Sequence, residues 1–217
     1  MSKLMNHRLL LIITAIAVVF FWTIPLTLPA YLENFYTKSS YYFLTAMVAW
    51  WLLTAFDFFK DLRGKLALEK KHLAIFACSS LLISGGIFYT NEIELKINSD
   101  EANLLAVSRA MAVEKTPFNL TMGKNYYFNF NITNRELDKR PLLFPYITSL
   151  VHGVIGISEN SPFVVNFLVL TVWIFVLLCG WYLLAGKTFA VLGVLFFLAN
   201  PIIPTFATSG GFDLFSS

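Results

Sequence analysis

The sequence predicts an all-helical, polytopic membrane bundle, and three observations carry that prediction. Apolar residues make up 57% of the 217-residue chain and charged ones only 13%, whereas a soluble domain carries about 25% charged residues. Several charge-poor runs reach the roughly 20 residues a helix needs to cross a hydrocarbon core. The net charge is only +3, yet the basic residues gather beside those runs, where they orient a membrane chain. This balance excludes a disordered chain, a basic nucleic-acid-binding domain and an ordinary soluble enzyme; the partner it implies is membrane lipid, with no nucleic acid. Cys78 and Cys179 both sit in apolar runs and offer no disulfide framework.

Residues 1–90 read as three spans. Leu9 to Leu32 is free of charge; it is longer than a signal-peptide core and lacks a small-residue cleavage site, so it reads as a retained span, kinked or ended near Pro25 and Pro29. Tyr41 to Phe59 is the second span and Leu73 to Thr90 the third. Residues 60–72 form a basic loop holding Lys60, Arg63, Lys65, Lys70 and Lys71, and the N-terminus adds Lys3 and Arg8. Only Lys38 lies between the first two spans. Basic residues in short loops mark the cytoplasmic side, which leaves residues 91–141 outside.

Residues 142–217 hold further membrane segments, at Leu142 to Ile157, Phe163 to Ala185 and Thr188 to about Ala207. Leu142 to Ile157 is short for a crossing, about 24 Å as a helix, and carries Pro145, His152, Gly153 and Gly156. If it spans, Lys187 lies outside and Asp213 inside; if it re-enters the membrane from one face, the two exchange sides.

A connection as long as 91–141 is usually functional or disordered. Asn98-Ser99-Asp100-Glu101 supplies helix-starting side chains, and Leu104, Val107 and Met111 then share one face at helical spacing. An amphipathic helix is expected here, closed by Lys115 and Pro117 and lying on lipid or on the bundle. Tyr126, Phe128, Phe130 and Ile132 alternate with Tyr127, Asn129 and Asn131 as a short extended stretch. Asp100 and Glu101 have two readings. They complement the positive end of a helix dipole, or they act as a general base with a neighbouring carboxylate that orients an acceptor or holds a divalent metal.

The order of motifs is informative in its own right. SDEANLLAVSRAM opens the outside segment, KRPLLFPYITSLVHGVIGISENSPFVVNFLVL follows, then a span ending in GWYLLAGK, then LANPIIPTFATSGGFD. Over Ser99 to the C-terminus this resembles the N-terminal part of the membrane glycosyltransferases that use polyprenyl-phosphate sugars, the superfamily of protein O-mannosyltransferases and lipid A aminoarabinose transferases with the GT-C fold. Lys139-Arg140-Pro141-Leu142-Leu143 matches the family's basic-Pro-Pro-Leu stretch with one proline missing. The resemblance implies a donor cavity at the outer membrane face of, typically, a bacterial inner membrane. It makes Asp100 the base, Glu101 its helper and Asp213 a second acidic cavity residue. Arg140 or Lys139 would hold the donor phosphate, although residues snorkelling at a span's start look the same.

Tyr126, Tyr127 and His152 are candidate sugar or acceptor contacts; interface anchoring for the tyrosines and hydrogen-bonded packing for the histidine are the plainer readings. No cofactor is implied beyond a possible divalent metal. Family chains run to about a dozen helices, so a chain stopping at GFDLFSS reads as a cut end. A transporter component would place ionisable residues in mid-span, whereas these spans are nearly charge-free and Asp57 sits close to a basic end; a non-catalytic or truncated membrane protein of the same fold is the other alternative.

Overall fold

The computed structural model describes residues 29–65, 69–96, 98–126, 129–137 and 140–216. The chain is mostly helical. Helices α1 (Pro29–Lys65), α2 (Lys70–Thr90) and α3 (Asn98–Val113) are followed by strands β1 (Phe118–Tyr126) and β2 (Asn129–Leu137). Then come α4 (Leu143–Ile155), α5 (Ser161–Ala185), α6 (Lys187–Leu198), α7 (Ile202–Ala207) and the short α8 (Asp213–Ser216). Among the described residues two helices, α2 and α5, are long and apolar enough to cross a membrane.

These two run antiparallel, side by side. Phe88 meets Phe167 edge-on at 5.3 Å near one end, and His72 lies 5.0 Å from Tyr182 near the other. Phe76, Ser80 and Ser84, four residues apart, form the buried stripe of α2; small serines at that spacing let helices approach closely. On α5 the stripe is Leu170, Ile174 and Leu178, joined in one apolar core by Ala190 and Val194 of α6 and Ala207 of α7. Gly186, at φ +84, makes the one-residue turn between α5 and α6, a backbone conformation that glycine adopts without steric penalty.

The single span expected over Thr188–Ala207 is divided into α6 and α7. Pro201 is the cause: it removes an N–H and disfavours helix at the residue before it. Asn200 Oδ1 then accepts the Ile202 N–H at 3.1 Å and restarts the chain as α7. This return carries residues 208–213 back beside the start of α5, where Glu94 N–H meets the Thr208 carbonyl at 3.4 Å.

Helix α3 lies where its amphipathic pattern demands. Leu104 packs with Phe144 and Val165, and Val107 and Met111, both at 0% exposure, pack on Tyr146. Its apolar face therefore covers α4 and the start of α5. Lys115 takes φ 59 just past the helix end, and its ammonium returns to the Ala112 carbonyl at 2.8 Å, satisfying a terminal acceptor in the manner of a left-handed cap.

Two further expectations are corrected. The stretch read as one extended run around Tyr126–Ile132 belongs to a two-stranded antiparallel hairpin, paired from Phe118↔Leu137 to Tyr126↔Asn129 with a register irregularity at Met122; the alternation continued across the connection and hid it. The loop expected before Tyr41 and the start of the basic loop at 60–72 are helical, because α1 runs unbroken from Pro29 to Lys65. Proline at a first helical position is pre-set for the helix, and no proline or glycine follows it before Gly64. Most of Leu9–Leu32 lies outside the described residues. At the α-helical rise α1 is about 55 Å long. Its contacts with the rest include Tyr146, whose hydroxyl donates to Thr45 Oγ1 at 2.9 Å and whose ring meets Tyr41 at 5.3 Å, and Lys115, whose ammonium lies 4.7 Å from the Tyr41 ring centre. Farther along, Trp50, Trp51, Leu52 and Leu53 are all exposed.

Candidate functional site

The acidic residues that open α3 lie where α3, α5 and residues 208–213 meet. Asp100 and Glu101 are adjacent in the first turn, and successive helical residues point about 100° apart, so the two take different neighbours. Asp100 is half-exposed and its Oδ1 pairs directly with the Arg140 guanidinium. Arg140 stands just ahead of α4, so the pair ties the start of α4 to the start of α3.

Glu101 is turned inward and is 2% exposed. Its Oε2 accepts the backbone N–H of Lys96 at 2.9 Å, the reach-back of a residue in a helix's first turn to the chain that precedes it. Over it lies the Ser209-Gly210-Gly211 turn. A Cβ on Gly210 would come within 3.2 Å of Glu101 Oε2, and one on Gly211 within 3.4 Å of Glu101 Oε1 and 3.2 Å of Asp213 Oδ2. Glycine lets the turn lie this close without the carboxylates having to give way, and both carboxylates, Glu101 and Asp213, border the same position at Gly211. The turn is fastened from α5 by Asn166, whose Nδ2 donates to the carbonyls of Ser209 at 2.8 Å and Gly211 at 2.9 Å.

The fold thus brings four of the sequence candidates into two neighbouring groups, Asp100 with Arg140 and Glu101 with Asp213. Tyr127 and Lys139 lie outside the described residues, and Tyr126 closes the hairpin as the last residue of β1.

His152 is elsewhere, in a sealed junction of α3, α4 and α5. Its Nδ1 accepts the Ser158 N–H at 3.4 Å and faces Ser161 Oγ at 2.8 Å, while Nε2 faces Ser108 Oγ at 3.0 Å. Ser108 gives its own proton to the Leu105 carbonyl at 2.8 Å, so Nε2 must be the donor towards it. One neutral tautomer satisfies every contact. The Ser108–His152 spacing suits a nucleophile and base, but both serines are at 0% exposure, and a substrate carbonyl has no way in. The geometry here is that of hydrogen-bonded packing.

A cleft of about 370 Å³ opens at the same end of α2 and α5, lined by Phe88, Ile93, Asn160, Phe163, Val164 and Phe167. It is aromatic and apolar, and the carboxylates are not among its lining residues. Ile93 lies next to Glu94, which bonds to Thr208, so the cleft adjoins the acidic junction. Among the described residues no group of three or more His, Cys, Asp or Glu side chains is placed to hold a metal ion. Glu101 and Asp213 alone fall short of the roughly six oxygen ligands that a hard divalent cation gathers.

What sequence reasoning missed as a working part is the Asn166 and Ser209–Gly211 clasp. Its signal was present: one amide inside FVVNFLVL, a setting in which a polar side chain calls for a partner. No protein-family model, curated protein or solved structure matches the chain.

Removing the imidazole by His152→Ala leaves the Ser161 hydroxyl and the Ser158 N–H without their acceptor. At about 1–3 kcal/mol for a buried polar group left unsatisfied, the variant is expected to unfold several degrees lower in detergent than the parent protein. Thermal unfolding followed by circular dichroism checks this; an unchanged midpoint would remove the packing role.

Proposed function

We propose that this chain carries the acidic site of a membrane glycosyltransferase that moves a sugar from a polyprenyl phosphate to an acceptor outside the cytoplasm. The observation that carries the reading is the contact between Asp100 and Arg140: a carboxylate and a guanidinium side by side, one residue from Glu101, whose junction with residues 208–213 adjoins the apolar cleft. A lipid-linked sugar phosphate needs those three surfaces together, a cation for phosphate, a base for the acceptor and an apolar bed for the prenyl chain.

The chemistry follows from the residue types. The Arg140 guanidinium binds phosphate oxygens through charge-assisted hydrogen bonds, which are stronger than neutral ones. Asp100, released from that guanidinium, takes the proton of the acceptor hydroxyl. The hydroxyl oxygen attacks the anomeric carbon, and the bond from that carbon to the phosphate oxygen breaks. The electron pair leaves with the polyprenyl phosphate, whose added charge Arg140 offsets. Glu101 and Asp213 border the same turn and orient the acceptor.

The membrane frame is part of the same proposal. Arg140, just before α4, pairs with the first turn of α3, and His152, near the end of α4, still touches α3 and the first residue of α5. A segment that begins and ends against α3 leaves α5 starting on the face where α4 began, which is the re-entrant alternative for 142–157. Lys65, Lys70, Lys71 and Lys187 then fall at the opposite, cytoplasmic end, as basic residues prefer. Multiple crossings by α1, α2, α5 and the α6–α7 pair, in a bacterial inner membrane, complete the frame. The exposed apolar residues Trp50, Trp51, Leu52 and Leu53 around α1 fit immersion in lipid.

Asp100→Asn is expected to lower transfer from a polyprenyl-phosphate sugar by at least about 100-fold, the usual contribution of a general base, with membrane insertion unchanged. Arg140→Gln is expected to raise the donor KM more than it lowers kcat. Full activity in Asp100→Asn, measured with labelled donor in proteoliposomes, would remove the catalytic assignment. For the frame, single cysteines are placed at Phe212 and Lys187 in a background without Cys78 and Cys179. Phe212→Cys is expected to react with an impermeant thiol reagent on intact cells and Lys187→Cys only after permeabilisation; the reverse pattern would discard the re-entrant arrangement.

A further inference from the structure

Asn166 interrupts an apolar stretch of α5, has no exposed surface, and spends both of its N–H bonds on backbone carbonyls of a different segment, at 2.8 and 2.9 Å. Those carbonyls belong to Ser209 and Gly211, so the amide spans the turn as a clip across Gly210. The opposite face of that turn rests on the Glu101 carboxylate, and Asp213 leaves it two residues later. Carbonyl partners fix which amide atom is the nitrogen, and Asn166 Oδ1 has no hydrogen-bond partner among the described residues. An acceptor buried in that state opposes folding. An apolar side chain would avoid that penalty but would leave the Ser209 and Gly211 carbonyls, both in a buried turn, without their donor. What the asparagine adds is geometry, because no apolar side chain can hold two carbonyls at once.

We propose that Asn166 is a positioning residue for the acidic pair: by clasping the Ser209–Gly211 turn it holds Asp213 beside Glu101. The inference rests on the reading of those two carboxylates as site residues, but the clasp is measurable without any catalytic assay. Its consequence for transfer is specific. A clasp that sets the carboxylates affects the reacting geometry and leaves donor binding, assigned to Arg140 and the apolar cleft, nearly untouched.

The test uses the full chain in detergent with Leu95→Cys and Gly210→Cys introduced and Cys78 and Cys179 replaced by serine. A Cβ at Gly210 falls against Leu95 Cδ2, so oxidation is expected to join the two cysteines rapidly while Asn166 is present. Asn166→Leu, which keeps the branched outline but has no donor, is expected to slow that cross-linking at least tenfold. Asn166→Asp is expected to slow it as well, since a carboxylate faces two carbonyls that need donors. In the chain with its native Leu95 and Gly210, Asn166→Leu is expected to lower kcat at least tenfold with the donor KM within twofold. Asn166→Ser, which keeps one donor, is expected to give intermediate values, and it serves as the deciding variant should Asn166→Leu not fold.

Cross-linking at the parent rate in either the leucine or the serine variant would overturn the clasp, as would failure of the two cysteines to join when Asn166 is present. A slowed cross-link together with a raised KM and unchanged kcat would overturn the positioning role. If the parent chain transfers no sugar, the cross-linking rates still decide the clasp, and the glycosyltransferase reading alone is lost.

Discussion

The interaction on which this end of the molecule depends is the burial of one carboxylate, that of Glu101. Taking a carboxylate out of water costs several kcal/mol even after the surroundings relax, so a fold that buries one must hold its neighbours closely. The Lys96 N–H fixes one oxygen from the chain entering α3, and two glycines allow the 208–213 segment to lie directly on the carboxylate. Asn166 fastens that segment to α5. Three stretches far apart in sequence are thereby joined at one point. The break at Pro201 is what lets the chain turn back in time to reach it.

Much of the helical frame was legible because hydrophobicity alone specifies it. α2 and α5 are long apolar runs, and their edges agree with the expected spans to within a few residues. α3 was legible for another reason: its polar start and its spaced Leu104, Val107 and Met111 encode both the cap and the buried face. α1 was misjudged because sequence reading looked for a loop between two hydrophobic blocks, while the helix needs only the absence of proline and glycine between Pro29 and Gly64. The hairpin was half-read, since alternation marks an extended chain without marking where it reverses.

The candidate site was legible as a set of residues and illegible as an arrangement. Asp100 and Arg140 were both singled out, for separate duties, and nothing in their spacing says that they pair. Glu101 and Asp213 were linked only through the family resemblance. The glycines that bring them together were visible in SGGFD, but close approach is a property of what lies opposite, which local sequence does not encode. His152 is the converse case. A histidine in an apolar segment attracts a functional reading, and here three serines absorb its hydrogen bonds completely.

In the proposed enzyme, the pairing of Asp100 with Arg140 is the resting arrangement of base and phosphate site, and a donor phosphate competes for the guanidinium. The most direct measurement is photocrosslinking from a benzoylphenylalanine placed at Ala102, an exposed position just past the first turn of α3, in membranes supplied with a polyprenyl phosphate. The account predicts a polyprenyl-phosphate adduct on this chain that free polyprenyl phosphate competes away and that Arg140→Gln abolishes. Adducts with bulk phospholipid alone, unchanged by the competitor and by Arg140→Gln, would contradict it.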